Sequence, residues 1–428
     1  MPHLDTLVQE PGERKMLVGL FSIFAAIAVI IFLMRKNWKL GWAMFTGSFI
    51  ISLLGGFTFS RAVGVFTSAL LSSTTIFLTL TITAITVFGY LLQKTSSLQA
   101  MIDNMGRLFH DFRALLMLIP ALVGLLTVPG GAVFSAPLVE PLGRKLNMDV
   151  DSTAAVNVVF RHIFFGIFPF YASLLLLTEI SGTGINLLVR YHFPVTLFAV
   201  PLAYLFFFRR VLPPAPPPSE GEGRGKLAWE LLKSLLPFII VIVLGVGFNL
   251  YFPLALMAGI SYVILVGNQK SGKRSLAAIR SRLAMVWPGI NWFMALAIIG
   301  IMVFKDFVQA SGALDDLSVV LLDLGIPLLL LAIIFPLITG FITGNQAASL
   351  GISVPLFLPL LPPEGLGVAY LSVMFMTSLV GYNASPFHLC LVLTAEYFEA
   401  SLPRVSWKVF LGLSPLVVLA LLQIVFYL

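Results

Sequence analysis

Two nine-residue stretches, Ile119–Thr127 (IPALVGLLT) and Phe335–Thr343 (FPLITGFIT), decide how the rest of the chain is read. At a separation of 216 they align Pro120 with Pro336, Gly124 with Gly340 and Thr127 with Thr343. Downstream, Ser135–Leu142 (SAPLVEPL) lies over Ser353–Leu360 (SVPLFLPL) at 218, and Pro169, Phe170 and Glu179 lie over Pro386, Phe387 and Glu396 at 217. Upstream, Val87, Phe88 and Gln93 match Val303, Phe304 and Gln309 at 216. One apolar match is weak. A nearly fixed register that keeps Pro and Gly through several elements marks an internal repeat.

The material repeated is apolar. Of 428 residues, 59% are hydrophobic and 11% are charged, well below the charge of a soluble domain. Runs long enough to cross a bilayer recur from Met16 onward, and no sizeable soluble domain remains. The run Met16–Met34 exceeds a signal-peptide core and leads into Arg35 and Lys36, which reads as a retained span. Further spans are expected near 40–58, 72–93, 151–178, 193–208, 234–250, 253–267, 285–304, 367–395 and 409–427. The stretches 114–142 and 326–361 are broken in mid-course by Pro, Gly and small polar residues. Each predicts a re-entrant helical hairpin, because unpaired backbone at membrane depth needs protein or a watery cavity around it. Amphipathic stretches at 98–112 and 314–324 precede the hairpins and read as interfacial helices.

The domain reading follows: a first repeat over 1–208, a Pro-rich linker over 209–233 centred on PPAPPPSEGEGRG, and a second repeat over 234–428. Each half carries five spans and a hairpin, and an odd number inverts the second half relative to the first. The fold class expected is an all-α polytopic membrane protein with inverted repeats, the pattern of secondary transporters. One side of this topology gathers 20 of the 26 Lys and Arg, including Arg35, Lys36, Arg144, Lys145, Arg209, Arg210 and Lys273. That side is therefore cytoplasmic and both termini are external. The formal charge of +7 reports this topology rather than a nucleic-acid partner. The single Cys390 and five scattered histidines without H-x-x-x-H spacing predict no Cys-based metal site.

Candidate site residues cluster at the breaks. The first tip runs Thr127, Val128, Pro129, Gly130, Gly131 to Ser135, and the second runs Thr343, Gly344, Asn345 to Ser349. Both could expose backbone groups to a ligand, or be plain kinks filled by packing. Arg161 and His162 stand about ten residues inside the fourth span. A buried guanidinium costs at least ~2.5 kcal/mol on insertion scales, so it faces a substrate carboxylate or braces the first hairpin, through Glu140 for instance. His162 reads first as a helix-to-helix hydrogen bond and second as a proton shuttle. In the ninth span Asn383, Ser385 and His388 flank Pro386, an unwound segment with oxygens to offer. Thr343, Asn345, Asn383, His162 and His388 are the ion-coupling candidates. Glu179 and Glu396, at span ends, read first as solvated carboxylates and second as a gate or proton carrier. The loop from Gly267 to Arg274 lacks the Ser or Thr of a phosphate-binding loop, and no motif of a membrane enzyme is present.

With these residues in place, PGGAVFSAPLVEPLG, FRHIFFGIFPFY and SPFHLCLVLTAEYF together resemble the DUF401 family of prokaryotic integral membrane proteins, within the ion transporter superfamily. The resemblance spans essentially the whole chain. It implies an inner-membrane transporter with scaffold and transport domains, an elevator motion and homodimers. The Ser-Asn-Thr tip signature of sodium–dicarboxylate relatives is absent here. The reading is a symporter of a small organic anion driven by H+ or Na+, with no other cofactor. The alternatives are a cation/proton antiporter, which needs deep carboxylates, and a non-transporting scaffold or sensor, which needs no broken helices. Cysteines introduced at Gly221 and Gly272 are expected to react with an impermeant maleimide only in inside-out vesicles; reaction of both in right-side-out vesicles would overturn the orientation.

Overall fold

The computed structural model describes residues 11–36, 38–109, 111–125, 132–211, 224–248, 250–267, 276–312 and 326–426. Among them are 19 α-helices and no strand. The first half comprises α1 (Pro11–Arg35), α2 (Leu40–Leu54), α3 (Phe59–Leu71), α4 (Ser73–Lys94), α5 (Ser97–Leu108), α6 (Phe112–Gly124), α7 (Ala132–Lys145), α8 (Val150–His162), α9 (Ala172–Ser181) and α10 (Ile185–Phe208). The second comprises α11 (Arg224–Ile242), α12 (Phe252–Val266), α13 (Leu276–Ala284), α14 (Trp292–Ala310), α15 (Leu328–Thr343), α16 (Gln346–Phe357), α17 (Glu364–Asn383), α18 (Leu389–Tyr397) and α19 (Leu402–Val425).

Seven of these, α1, α4, α10, α11, α14, α17 and α19, are long and apolar enough to cross a bilayer. The remaining expected spans are helical but short, as α2 and α12, or interrupted, as α8 with α9. Helix α11 starts at Arg224, inside the stretch assigned to the linker, so only its Pro-rich part is left between the halves; most of that part, and the interfacial stretch 314–324, lie outside the described residues. Two helices were not foreseen, α3 and α13. At 13 and 9 residues they fall below a bilayer-length yardstick, and α3 is recognisable only by its Thr58 cap, whose side chain accepts from Arg61 N, and by exposed Phe59 and Leu71.

Helix bounds keep the register of the sequence repeat. Ile185 and Phe208, the ends of α10, answer to Leu402 and Val425, the ends of α19, and α6 and α15 start at the matching positions Phe112 and Leu328. Packing follows the same rule in the main inter-half contacts, which come in pairs with the halves exchanged. α2 packs on α14 and α12 on α4; α8 on α19 and α17 on α10; α7 on α18 and α16 on α9. At the centre, α8, α16 and α17 are buried along nearly their whole length; α16 and α17 carry no charge along their buried residues, whereas α8 takes Thr153, Asn157 and Arg161, on one face, into the interior. Outer helices turn Phe21, Phe49, Phe198 and Trp407 outward, where hydrocarbon accepts them without cost.

At one end of the bundle the halves are joined by charge. Asp149 caps α8, its Oδ1 accepting from Ser152 N at 2.8 Å and from Lys408 Nζ at 2.8 Å. Asp151 accepts from Ser401 N at 2.8 Å and pairs with Arg404 at 3.1 Å. Partial burial pushes the Asp149 carboxyl up, but the bonds from Lys408 and Ser152 outweigh it and hold the group below the ordinary 3.8. Such a contribution to stability is complete above that value and is lost as pH falls below it. Asp149→Ala is expected to cost about 1 kcal/mol through the lost cap. In thermal unfolding its deficit against wild type is expected to be full at neutral pH and to narrow once the pH drops below 3.8; a pH-independent gap would refute the linkage.

Candidate functional site

The site grows from two interruptions. Residues 163–171 separate α8 from α9, and 384–388 separate α17 from α18. Pro169 and Pro386 lie in these segments, and carbonyls released there have no solvent to turn to. Side chains of the last helix in each half meet them. His192 of α10 donates from Nδ1 to the Gly166 carbonyl at 2.8 Å, and Ser406 of α19 donates to the Ala384 carbonyl at 2.5 Å. His192 is fully buried against Phe375, ring centroids 4.9 Å apart. The sequence reading passed over it because nothing near it in the chain announces Gly166 as its partner.

The repeated glycines set the next contact. A Cβ on Gly124 would meet the Arg161 carbonyl, and a Cβ on Gly340 the Ser378 carbonyl, so in both halves the first arm of the hairpin lies backbone to backbone on the broken helix. In the register that aligns Pro169 with Pro386, Arg161 falls opposite Ser378, its repeat counterpart. The frame is repeated, and the chemistry on it is not.

Of the first tip, Thr127, Pro129, Gly130 and Gly131 lie outside the described residues, and Ser135 is buried in α7. The second tip is fully described. α15 ends on Gly344 in the left-handed region, φ +62°, with its N–H on the Gly340 carbonyl at 2.9 Å. Asn345 then caps α16 by accepting from Ala348 N at 3.0 Å, and Thr343 donates to the Thr339 carbonyl at 2.7 Å. Thr343 and Asn345 thus build the tip itself. The tip touches the break of its own half: a Cβ on Gly344 would strike Phe387, and Ser385 donates to the Phe341 carbonyl at 2.5 Å. Asn383 donates to the Leu379 carbonyl at 2.8 Å, while its Oδ1 is buried without a hydrogen bond.

The first residue of α16, Gln346, links the two breaks and was not anticipated. Its Nε2 donates to the Phe375 carbonyl and to Ser378 Oγ, both at 3.1 Å, and its Oε1 accepts from the Tyr171 hydroxyl at 2.7 Å. The Tyr171 and Tyr382 hydroxyls are 3.3 Å apart. The tip of the second half is thereby tied to the break of the first.

Beneath this network sits the charged centre. Arg161 is 2% exposed, at the last turn of α8, with its guanidinium facing the Cys390 thiol. The Glu140 carboxylate, considered as its partner from sequence, is held by Arg144 and by the Tyr397 hydroxyl at 3.0 Å. His162 Nδ1 donates to the Val158 carbonyl at 2.7 Å within its own helix, which fixes the tautomer of the neutral ring and leaves Nε2 with a lone pair. Its ring lies edge-on to those of His388, Phe165 and Tyr382, at 5.0, 4.8 and 5.9 Å. One donor atom from each of His162, His388 and Cys390 falls within 4.8 Å of the others, all three residues buried. The sequence spacing predicts no Cys-based metal site; the fold brings these three side chains together from both halves of the chain.

The profile of a family described as "Protein of unknown function (DUF401)" matches residues 16–428. The chain belongs to the DUF401 family. No curated protein matches the sequence. Among solved structures, the fold is similar to the crystal structure of the Alcanivorax borkumensis YdaH transporter, described as having an unusual topology; TM-score 0.56, 15% identity, covering 85% of this chain and 86% of that one. This DUF401 chain is thus an all-helical, multi-pass membrane protein with a transporter's fold.

The tip geometry yields a direct expectation. Gly344→Ala places a Cβ in the left-handed region, worth about 1–2 kcal/mol, and against the Phe387 backbone. A lowered melting temperature with unchanged membrane insertion is expected; wild-type stability would show that the tip does not rest on this break.

Proposed function

We propose that this chain is a secondary active transporter of a small organic anion, coupled to H+ or Na+, and that it works by an elevator motion of the hairpins and broken helices against the outer helices. The observation that carries the proposal is Arg161, a fully buried guanidinium at the end of the helix that precedes the first break, facing Cys390 just beyond the second. Burying such a charge is costly unless function uses it. Its planar fork suits a carboxylate. The likeness in fold to a transporter supports the reading, as does the exchange of contacts between halves, which a pair of inverted repeats would produce. In this proposal the Lys- and Arg-rich ends face the cytoplasm, both termini are external, and the protein is a homodimer of the prokaryotic inner membrane.

Cation/proton antiport is the weaker reading. Among the described residues Asp151 is the only buried carboxylate, and it is engaged by Arg404 and Ser401 at a helix end. Polar groups of the tip, Thr343 and Asn345, would serve the anion only after giving up their caps; Gln346, Tyr171, Ser378 and Asn383 are the better-placed hydrogen-bonding partners.

The test is uptake of a panel of labelled carboxylates into proteoliposomes under imposed H+ or Na+ gradients. For the transported compound, Arg161→Lys is expected to raise the half-saturation concentration at least about tenfold, ~1.4 kcal/mol, with the melting temperature kept within a few degrees. Unchanged half-saturation in a stable Arg161→Lys protein would remove Arg161 from the binding site.

A further inference from the structure

We infer that His162, His388 and Cys390 form a binding site for one soft, monovalent d10 cation, Cu(I) or Ag(I), buried within the helix bundle of this protein. Three observations converge on it. First, the set is built: one donor atom from each residue lies within 4.8 Å of the others, and the three side chains are 2%, 6% and 6% exposed. Metal bonds of about 2.0–2.3 Å would place donors about 3.5 Å apart, so side-chain rotations of about 1 Å close the set around an ion.

Second, the imidazoles are presented as ligands. The Val158 carbonyl holds His162 Nδ1–H at 2.7 Å, the outer bond that orients a metal-binding histidine and leaves Nε2 to coordinate. His388 Nδ1 is buried with no hydrogen bond, which a packed interior rarely tolerates. Packing of Tyr382 edge-on against both rings, at 5.9 and 4.8 Å, limits their rotation.

Third, charge and donor type select the ion. A thiolate with two neutral imidazoles favours soft metals, whereas structural zinc demands a fourth ligand, and no further His, Cys, Asp or Glu joins the group among the described residues. Arg161 faces the same thiol. A monovalent ion on the Cys390 thiolate gives a neutral complex beside the guanidinium, while a divalent ion leaves a net positive charge against it in low dielectric. Binding forms the metal–sulfur bond as the S–H bond breaks, and the thiol proton is released to solvent.

This inference goes beyond the transport proposal and stands without it, since metal retention is measured with no transported solute. Purified full-length protein is mixed with Ag(I), freed of loose metal by gel filtration and assayed for silver by mass spectrometry. About one equivalent per chain is expected for wild type and background for Cys390→Ser, while His162→Gln and His388→Gln raise the dissociation constant at least about tenfold. X-ray absorption of Cu(I)-loaded wild type, which needs no variant to fold, should show one sulfur and two imidazoles around copper. Full silver retention by a folded Cys390→Ser protein, two or more sulfurs at copper, or Zn(II) held as tightly as Ag(I) would each overturn the assignment.

Discussion

A backbone carbonyl released inside a bilayer must be met by a protein donor, and this requirement organises the whole molecule. Two helices break part-way along their course. Each break is tolerated because the last helix of its own half brings a donor to the freed carbonyl, the buried His192 imidazole to Gly166 and the partly buried Ser406 hydroxyl to Ala384. Those donors fix how α10 and α19 lie against the centre, and the reciprocal packing of the outer helices follows around them. Glycine at 124 and 340 then lets the hairpin arms approach the broken helices closely enough for backbone contact.

On this repeated frame the side chains diverge. Equivalent positions carry Arg161 in one half and Ser378 in the other, Tyr171 and His388, Ser173 and Cys390. The first half contributes the fixed positive charge and one imidazole; the second contributes the thiol, the other imidazole and the Gln346 bridge. Groups drawn from unlike halves thus present unlike chemistry on a nearly symmetric frame. Cys390 is common to both groups, a partner of the guanidinium and within 4.8 Å of a donor atom of each imidazole.

Glycine and proline carried most of what could be read from the sequence about the fold. Pro120, Pro336, Gly124 and Gly340 are rare in apolar spans, so their recurrence at one separation is informative, and the structure gives both glycines the same contact. Short helices escaped. α3 and α13 do not reach bilayer length, and their neighbours' apolar runs hide their boundaries. Of the site, Arg161, His162, Asn383, Ser385 and His388 stood out because polar residues within apolar spans are few. Gln346, Tyr171 and His192 did not, since Gln and Tyr at a helix end are unremarkable until their partners are known.

The sequence by itself determined that the chain lives in the membrane, that Pro and Gly recur in it at a nearly fixed separation, and that its helices break near them, because hydropathy, Pro and Gly act over a few neighbouring residues. Only the tertiary structure decided which groups meet. Tyr171 and Gln346, like His162 and Cys390, come from opposite halves of the chain, and no local preference encodes such pairings. Their meeting depends on how two halves pack against each other, a property of shape and of buried polar groups seeking partners rather than of any segment alone.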